Sequence, residues 1–504
     1  MNKCIFAFVL TYFALIISNH RVDSGIINLF KNDNVDTYLT PLQIIKKHGY
    51  PSEAHTVESQ NGYILELHRI PYGKSGPGGN KRIPVLLHHG ILSSSIDWLI
   101  DGPNKSLGYR LADEGYDVWM ANARGNTFSR HHTKYNPSQR EFWNYSFHEM
   151  AFYDLPAAID HILMTNGEEQ LVYIGHSLGT AVFYAMASIL PEYNKKIKFQ
   201  ISLAPVSAIP HATSGARLLV PHAKTIDKAI DWYGKGAFLE RDLMTRIMMP
   251  IFCGGGKITG DVCKKFMLFG VFGKNPEQFD DSLLPLISSN FPAGTSSKNM
   301  IHCSQLISSG TFAQYDYGKD ENIKKYGSPI PPKYNINKIS VPIRLYYSDN
   351  DLLSPPLDTK ILYQRITKPL GLKRVNLDKF SHTDFLWAKD INTLLNDEII
   401  EFIRNATDFE NGSDFIRETV TQALDIRSKT PPPVNVPFDE KSFLKNLGKD
   451  FVGDTLETID NAVGNIISNS IKKIQAGGEK VKSYAENILD KIKRKAKSLK
   501  DFIG

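Results

Sequence analysis

Leu171-Val-Tyr-Ile-Gly175-His176-Ser177-Leu178-Gly179-Thr-Ala-Val-Phe-Tyr-Ala-Met-Ala-Ser-Ile-Leu190 decides how this chain is read. Four apolar residues, Leu171 to Ile174, form a run suited to a strand buried on both faces. Thr180 to Leu190 reads as a helix, and a five-residue turn separates the two. A strand, a sharp turn carrying Gly-x-Ser-x-Gly and a helix form a nucleophile elbow. Ser177 has to project its hydroxyl from a strained turn, so the residues two positions away must be small. Gly175 and Gly179 meet that need by lacking a Cβ. The same turn puts the Leu178 N–H at the start of a helix, where it can face an oxyanion.

Upstream, strand and helix patterns alternate. Tyr63–His68 has the period of a half-buried strand, Pro84–Leu87 is a buried run, and Tyr116–Met120 is a third strand. Ser106–Glu114 and Tyr153–Thr165 read as helices. This alternation predicts a mostly parallel α/β sheet. From 209 to 335 the pattern breaks into Phe-, Met- and Gly-rich stretches without short strands, which reads as an inserted, mostly helical cap. Strands resume at Val341–Tyr347 and Arg374–Leu377, and a helix over Ile391–Ile403 closes the globular part. The expected layout is a leader over 1–24, a core over 25–208 and 336–405 split by the cap, a linker over 406–435 and a tail over 436–504.

A serine hydroxyl needs a general base. After Ser177 the histidines are His211, His222, His302 and His382. The first three fall in the cap, which leaves His382, just past the last core strand. The orienting acid belongs after the preceding strand, where Asp349 and Asp351 both qualify and Asp358 lies further off; spacing does not choose among them. A second oxyanion donor belongs after an early strand. His88-His-Gly-Ile91 follows Leu87, and Gly90 lets the backbone approach a substrate so that the Ile91 N–H can donate. Adjacent histidines at a strand end rarely converge on one metal, and no Glu follows at zincin spacing, so His88 and His89 are read as structural and no metal is expected.

The chain has 504 residues, 42% hydrophobic content and a net charge of +6, enough for a large core and too little charge for a nucleic-acid binder. Lys3 followed by an apolar run to Ile17 fits a secretory leader and falls short of a bilayer span, an uncleaved anchor being the alternative. The exported chain then keeps Cys253, Cys263 and Cys303. Gly254 to Gly260 forms a flexible loop between the first two, so a Cys253–Cys263 disulfide is expected, with Cys303 a free thiol. Asn104, Asn144, Asn405 and Asn411 begin glycosylation sequons. In the tail, Phe443, Leu447, Phe451 and Leu456, and later Val481, Ile488, Ile492 and Leu499, recur at helical spacing, and residues 491–497 are strongly basic. Such amphipathic helices suit a lipid surface, with packing on the protein as the competing use.

From about Ile44 to Phe402 the sequence resembles the acid lipase family, the family of gastric and lysosomal acid lipases. The resemblance rests on Gly49-Tyr-Pro51, Asn61–Glu66, His89–Ser94, Gly115–Trp119, Ala123-Arg-Gly-Asn-Thr127, Tyr153–Pro156, the elbow, Pro292–Ser296, Tyr315–Gly318, Asp351-Leu-Leu353 and Ser381-His-Thr-Asp-Phe385. It implies an α/β-hydrolase fold with a mobile cap and hydrolysis of acylglycerol or steryl esters without a cofactor. It also implies export to the extracellular space or the lysosome. It assigns the triad to Ser177, Asp351 and His382, the oxyanion donors to Ile91 and Leu178, and the cap disulfide to Cys253 and Cys263. Two departures stand out: Leu178 replaces the usual Gln after the serine, and Ile91 the usual Leu. The tail after about Asn405 lies outside the resemblance. A competing reading keeps the fold for binding lipid without turnover, with the tail as its main device.

Overall fold

The computed structural model describes residues 35–78, 81–222, 236–241, 249, 253, 260–261, 263–408 and 410–440. The expected leader and most of the expected tail lie outside these residues. A nine-stranded sheet has the order β1 (Glu53–Glu58), β2 (Tyr63–Ile70), β4 (Asp117–Met120), β3 (Pro84–His88), β6 (Leu171–His176), β7 (Ile197–Leu203), β10 (Ile343–Tyr347) and β11 (Pro369–Arg374), with the short β5 (His131–His132) paired to β2. From β4 to β11 neighbours run parallel, and β2 is antiparallel to both β1 and β4. The near-continuous burial of β3, β4, β6 and β10 matches their apolar runs, since helices cover both faces of a parallel sheet. At the edge, β1 alternates exposed and partly buried positions.

Five helices matter below: α1 (Leu155–Asn166), α2 (Leu178–Ile189), α3 (Ser297–Ser309), α4 (Asp397–Thr407) and α5 (Gly412–Lys429). Helix α2 follows β6 directly and is buried from Leu178 through Ser188, so the elbow is held by core packing on every side. This is the α/β-hydrolase fold. Chain order steps from β3 outward to β4 and then back across β3 to β6, which opens a crevice at the carboxyl ends of β3 and β6. Register sets His88 beside Gly175, and Gly175 and His176 beside Ser202 and Leu203.

Three expectations change. The last strand is Pro369–Arg374 and not 374–377: Pro369 pairs with Ile343, while Val375 only extends the ladder through its N–H to Tyr347 O. Residues 412–429 of the expected linker form α5, whose Phe415, Ile416 and Val420 pack on the core, with Phe415 5.6 Å from Phe402. Arg427 fastens its end to the carbonyls of Tyr363 and Ile366. The segment between β7 and β10 does contain strands: two-residue β8 (Ala237–Phe238) pairs antiparallel with β9 (Thr295–Ser296), immediately before α3.

Candidate active site

Ser177 sits at φ 52°, ψ −119°, a conformation costing about 1–3 kcal/mol that persists only where neighbours over-determine it. Its N–H donates to Leu203 O (3.0 Å), and its carbonyl accepts from Thr180 N (2.9 Å) and Thr180 Oγ1 (2.7 Å). Thr180 Oγ1 in turn accepts from Val206 N (2.8 Å), which ties the turn to the chain after β7. A Cβ on Gly175 would lie 2.9 Å from Gly179 C, and one on Gly179 would strike His88 O. Both glycines are therefore required by close backbone approach, as the elbow motif demands. Leu92 (φ 61°) and Ala204 (φ 50°) are the other strained residues in the loops after β3 and β7.

His382 and Asp351 form a buried pair: His382 Nδ1 lies 2.7 Å from Asp351 Oδ2, with the two side chains 2% and 0% exposed. The other carboxylate oxygen accepts from Leu353 N (2.9 Å) and Ser354 N (2.7 Å), so the acid is fixed by the turn that follows it. The two alternatives are engaged elsewhere. Asp349 is half-exposed and bound to Arg374 Nε at 2.6 Å. Asp358 accepts from the backbone N and the Nδ1 of His211. No hydrogen bond joins Ser177 Oγ to His382 among the described residues. Such contacts are often long before substrate binds. The serine and histidine loops are linked through His176, whose ring centroid is 4.8 Å from that of His382 and whose Nε2 donates to His382 O at 3.0 Å. Burial pushes the His176 imidazole well below its usual range, so it is neutral and donates from one nitrogen.

The loop after β3 lies against the elbow: a Cβ on Gly90 would sit 3.1 Å from Ser177 Cβ and 3.6 Å from its Oγ. Ile91, an expected oxyanion donor, follows Gly90 in this loop, and Leu178, the other, opens α2 directly after Ser177. His88 and His89 are buried and bonded to backbone carbonyls, and burial lowers them to about 4 and about 3. Among the described residues no cluster of three His, Cys, Asp or Glu side chains could hold a metal ion.

The segment between β7 and β10 reaches the site through residues that sequence reasoning missed. Phe272 stacks on the His382 ring (5.7 Å, 7° between planes), and its carbonyl accepts from His382 N at 3.1 Å. Asn275 Nδ2 donates to Asp384 Oδ2 (2.7 Å), which also accepts from Ser381 N (2.6 Å). Asn350 Nδ2 bridges to Lys274 O and Lys379 O. These bonds stitch 272–275 to the loops bearing Asp351 and His382. Lone polar residues in a Phe- and Gly-rich stretch gave no sequence signal for this role. Cys253 and Cys263 are disulfide-bonded within the same segment, and Cys303 is free.

Comparison with known proteins bears on the fold and the family. Residues 42–102 match the model of the partial alpha/beta-hydrolase lipase region, and residues 83–227 that of the alpha/beta hydrolase fold. Gastric triacylglycerol lipase of Bos taurus is 37% identical over 374 residues, covering 73% of this chain and 92% of the relative. Lipase 1 of Drosophila melanogaster is 37% identical over 373 residues (74% and 81%), and lipase lipl-1 of Caenorhabditis elegans 36% over 381 (74% and 93%). Fold and sequence together define an α/β-hydrolase that cleaves esters. More narrowly, the chain belongs to the acid lipase family, with the gastric triacylglycerol lipases.

Proposed function

We propose that this lipase hydrolyses acylglycerols or steryl esters through a Ser177–His382–Asp351 triad and an acyl-enzyme. Ser177 Oγ attacks the ester carbonyl carbon while His382 Nε2 takes its proton. The Ile91 and Leu178 N–H groups hold the tetrahedral oxyanion, and Asp351 stabilises the imidazolium. His382 returns the proton to the leaving alcohol. Water, deprotonated by the same imidazole, then releases the fatty acid and restores the serine. The observation that carries this reading is the dry 2.7 Å His382–Asp351 contact beside a strained serine. Phe272 over the imidazole and Phe291, 5.9 Å from Phe272, supply an apolar wall suited to an acyl chain. The chemistry calls for no metal or organic cofactor.

Export through the leader at 1–24, to the extracellular space or the lysosome, fits the disulfide and the four sequons, whose Asn104, Asn144, Asn405 and Asn411 are all exposed. The tail from 436 to 504 is assigned to peripheral contact with a lipid surface. Loss of vesicle binding on deleting residues after Pro433 supports that assignment, and unchanged binding removes it. No helix among the described residues is long and apolar enough to cross a membrane.

The test is hydrolysis of an emulsified long-chain triacylglycerol against a soluble short-chain ester, with Ser177→Ala as control. Emulsion activity lost in the variant supports a lipase using this triad. Activity on the soluble ester alone makes the enzyme a carboxylesterase, and activity on neither promotes the lipid-binding reading.

A further inference from the structure

The Ala123-Arg-Gly-Asn126 motif lies outside the chemistry described so far, yet it holds one of the buried histidines. His89 is 2% exposed. Its Nε2 is 3.0 Å from Ala123 N and 3.4 Å from Asn126 Nδ2. Both of those groups can only donate, so Nε2 must be the unprotonated nitrogen. The ring proton therefore sits on Nδ1, which donates to Gly90 O at 2.7 Å. Burial holds this imidazole down at about 3, so the neutral tautomer persists into acid. The acceptor side is itself braced. Asn126 Nδ2 also reaches Ser93 O and Asn122 Oδ1, each at 3.2 Å, and Ser95 N donates to Asn122 Oδ1 at 3.0 Å.

Gly90 O belongs to the same planar peptide as the Ile91 N–H. Among the described residues the only cis bond is Phe291–Pro292, so the Gly90–Ile91 peptide is trans and its C=O and N–H point in opposite directions. Fixing the carbonyl on His89 fixes the N–H on the other side. Glycine at 90 makes that peptide free to rotate, and it lies against Ser177. We propose that His89, held by the Ala123 and Asn126 donors, is a positioning residue for the oxyanion hole, locking the Gly90 carbonyl so that the Ile91 N–H stays aimed at the reacting carbonyl. The proposal rests on the reading of Ile91 as an oxyanion donor. It explains why a dry, neutral histidine and the Ala123–Asn126 turn accompany the elbow.

The two ring nitrogens can be tested separately. In His89→Asn the side-chain amide stands where Nδ1 was and can still donate to Gly90 O. In His89→Gln the amide stands at the Nε2 position, and the Gly90 carbonyl loses its donor. On a soluble short-chain ester, His89→Gln is expected to lose kcat about 10²–10³-fold, the effect of removing one oxyanion donor, with KM within about threefold. His89→Asn is expected to keep kcat within about tenfold of wild type, and both variants to keep the wild-type pH profile of kcat. A fall of equal size in both variants, or a loss carried by KM, overturns the proposal. Ser177→Ala runs alongside: if it stays active the proposed function fails, and if it is inactive while His89→Gln is fully active only the present inference fails. Should the variants melt well below wild type, ¹⁵N-histidine NMR of the wild-type enzyme decides: a protonated Nδ1 and bare Nε2 at His89 support the proposal, and the opposite tautomer overturns it.

Discussion

Replacing Asp351 with Asn keeps the shape of the acid and changes only which atoms donate. Asp351 Oδ1 accepts two turn N–H groups at 2.7 and 2.9 Å, and an Asn oxygen can keep both. The amide nitrogen is then forced to face His382 Nδ1 across the present 2.7 Å contact. Two donors cannot share that space, so the imidazole has to move its proton to Nε2. A protonated Nε2 cannot accept from Ser177. The wrong tautomer costs about 10⁴ in kcat in the well-studied serine protease case, about 5.5 kcal/mol of transition-state stabilisation. Stability moves much less, because a buried charge disappears along with its charge-assisted hydrogen bond of about 1.5–3 kcal/mol. The assay is kcat on a soluble ester together with a thermal melt. A folded Asp351→Asn enzyme keeping more than a tenth of wild-type kcat would refute the reasoning and reopen Asp349 and Asp358, which Arg374 and His211 now occupy.

Two further outcomes follow from the same geometry. Gly179→Ala drives a Cβ into His88 O and within 3.0 Å of His89 O, both backbone atoms at the end of a central strand. It should destabilise by about 1–3 kcal/mol and abolish hydrolysis, read by melting and by ester turnover. Burial raises Asp97 to about 7, so the folded state binds that proton more tightly than the unfolded chain. The stability this contributes is complete below about pH 4 and is lost as pH rises through about 7. Almost all of that loss falls between about pH 4 and 7, at up to ~1.4 kcal/mol per pH unit, and little remains above pH 7. Asp97→Asn imitates the protonated carboxyl, so its melting temperature should fall less than that of wild type over this window; parallel curves would remove Asp97 from the account. The buried His88, His89 and His302 shift stability the opposite way over the same range, equally in wild type and variant, so they cancel in the comparison.

How far the sequence could be read follows from how each residue earns its place. The elbow was legible because Gly175 and Gly179 answer a local steric demand, and local demands leave local patterns. The strands β3, β4 and β6 were legible as apolar runs. Strand β7 was not, since Ile197-Lys-Phe-Gln-Ile-Ser-Leu203 carries polar residues at alternate positions. Gln200 and Ser202 are nevertheless fully buried, bonded to each other at 2.7 Å, with Tyr184 on the serine. Helix α5 was hidden by its mainly polar surface; its apolar face makes sense only beside Phe402. Choosing Asp351 over its neighbours required either a family resemblance or coordinates, because three carboxylates within ten positions differ only in which partner they meet. The Asn275–Asp384 and Phe272–His382 contacts join segments about a hundred residues apart, and nothing in either segment names its partner.

The central claim is that Ser177 is an activated nucleophile. The most direct measurement is labelling of the intact enzyme with a fluorophosphonate, followed by mass spectrometry of the modified peptide. The account predicts one adduct, on Ser177, absent in Ser177→Ala and strongly slowed in His382→Ala. An unlabelled enzyme, or an adduct on another residue that survives Ser177→Ala, would contradict it.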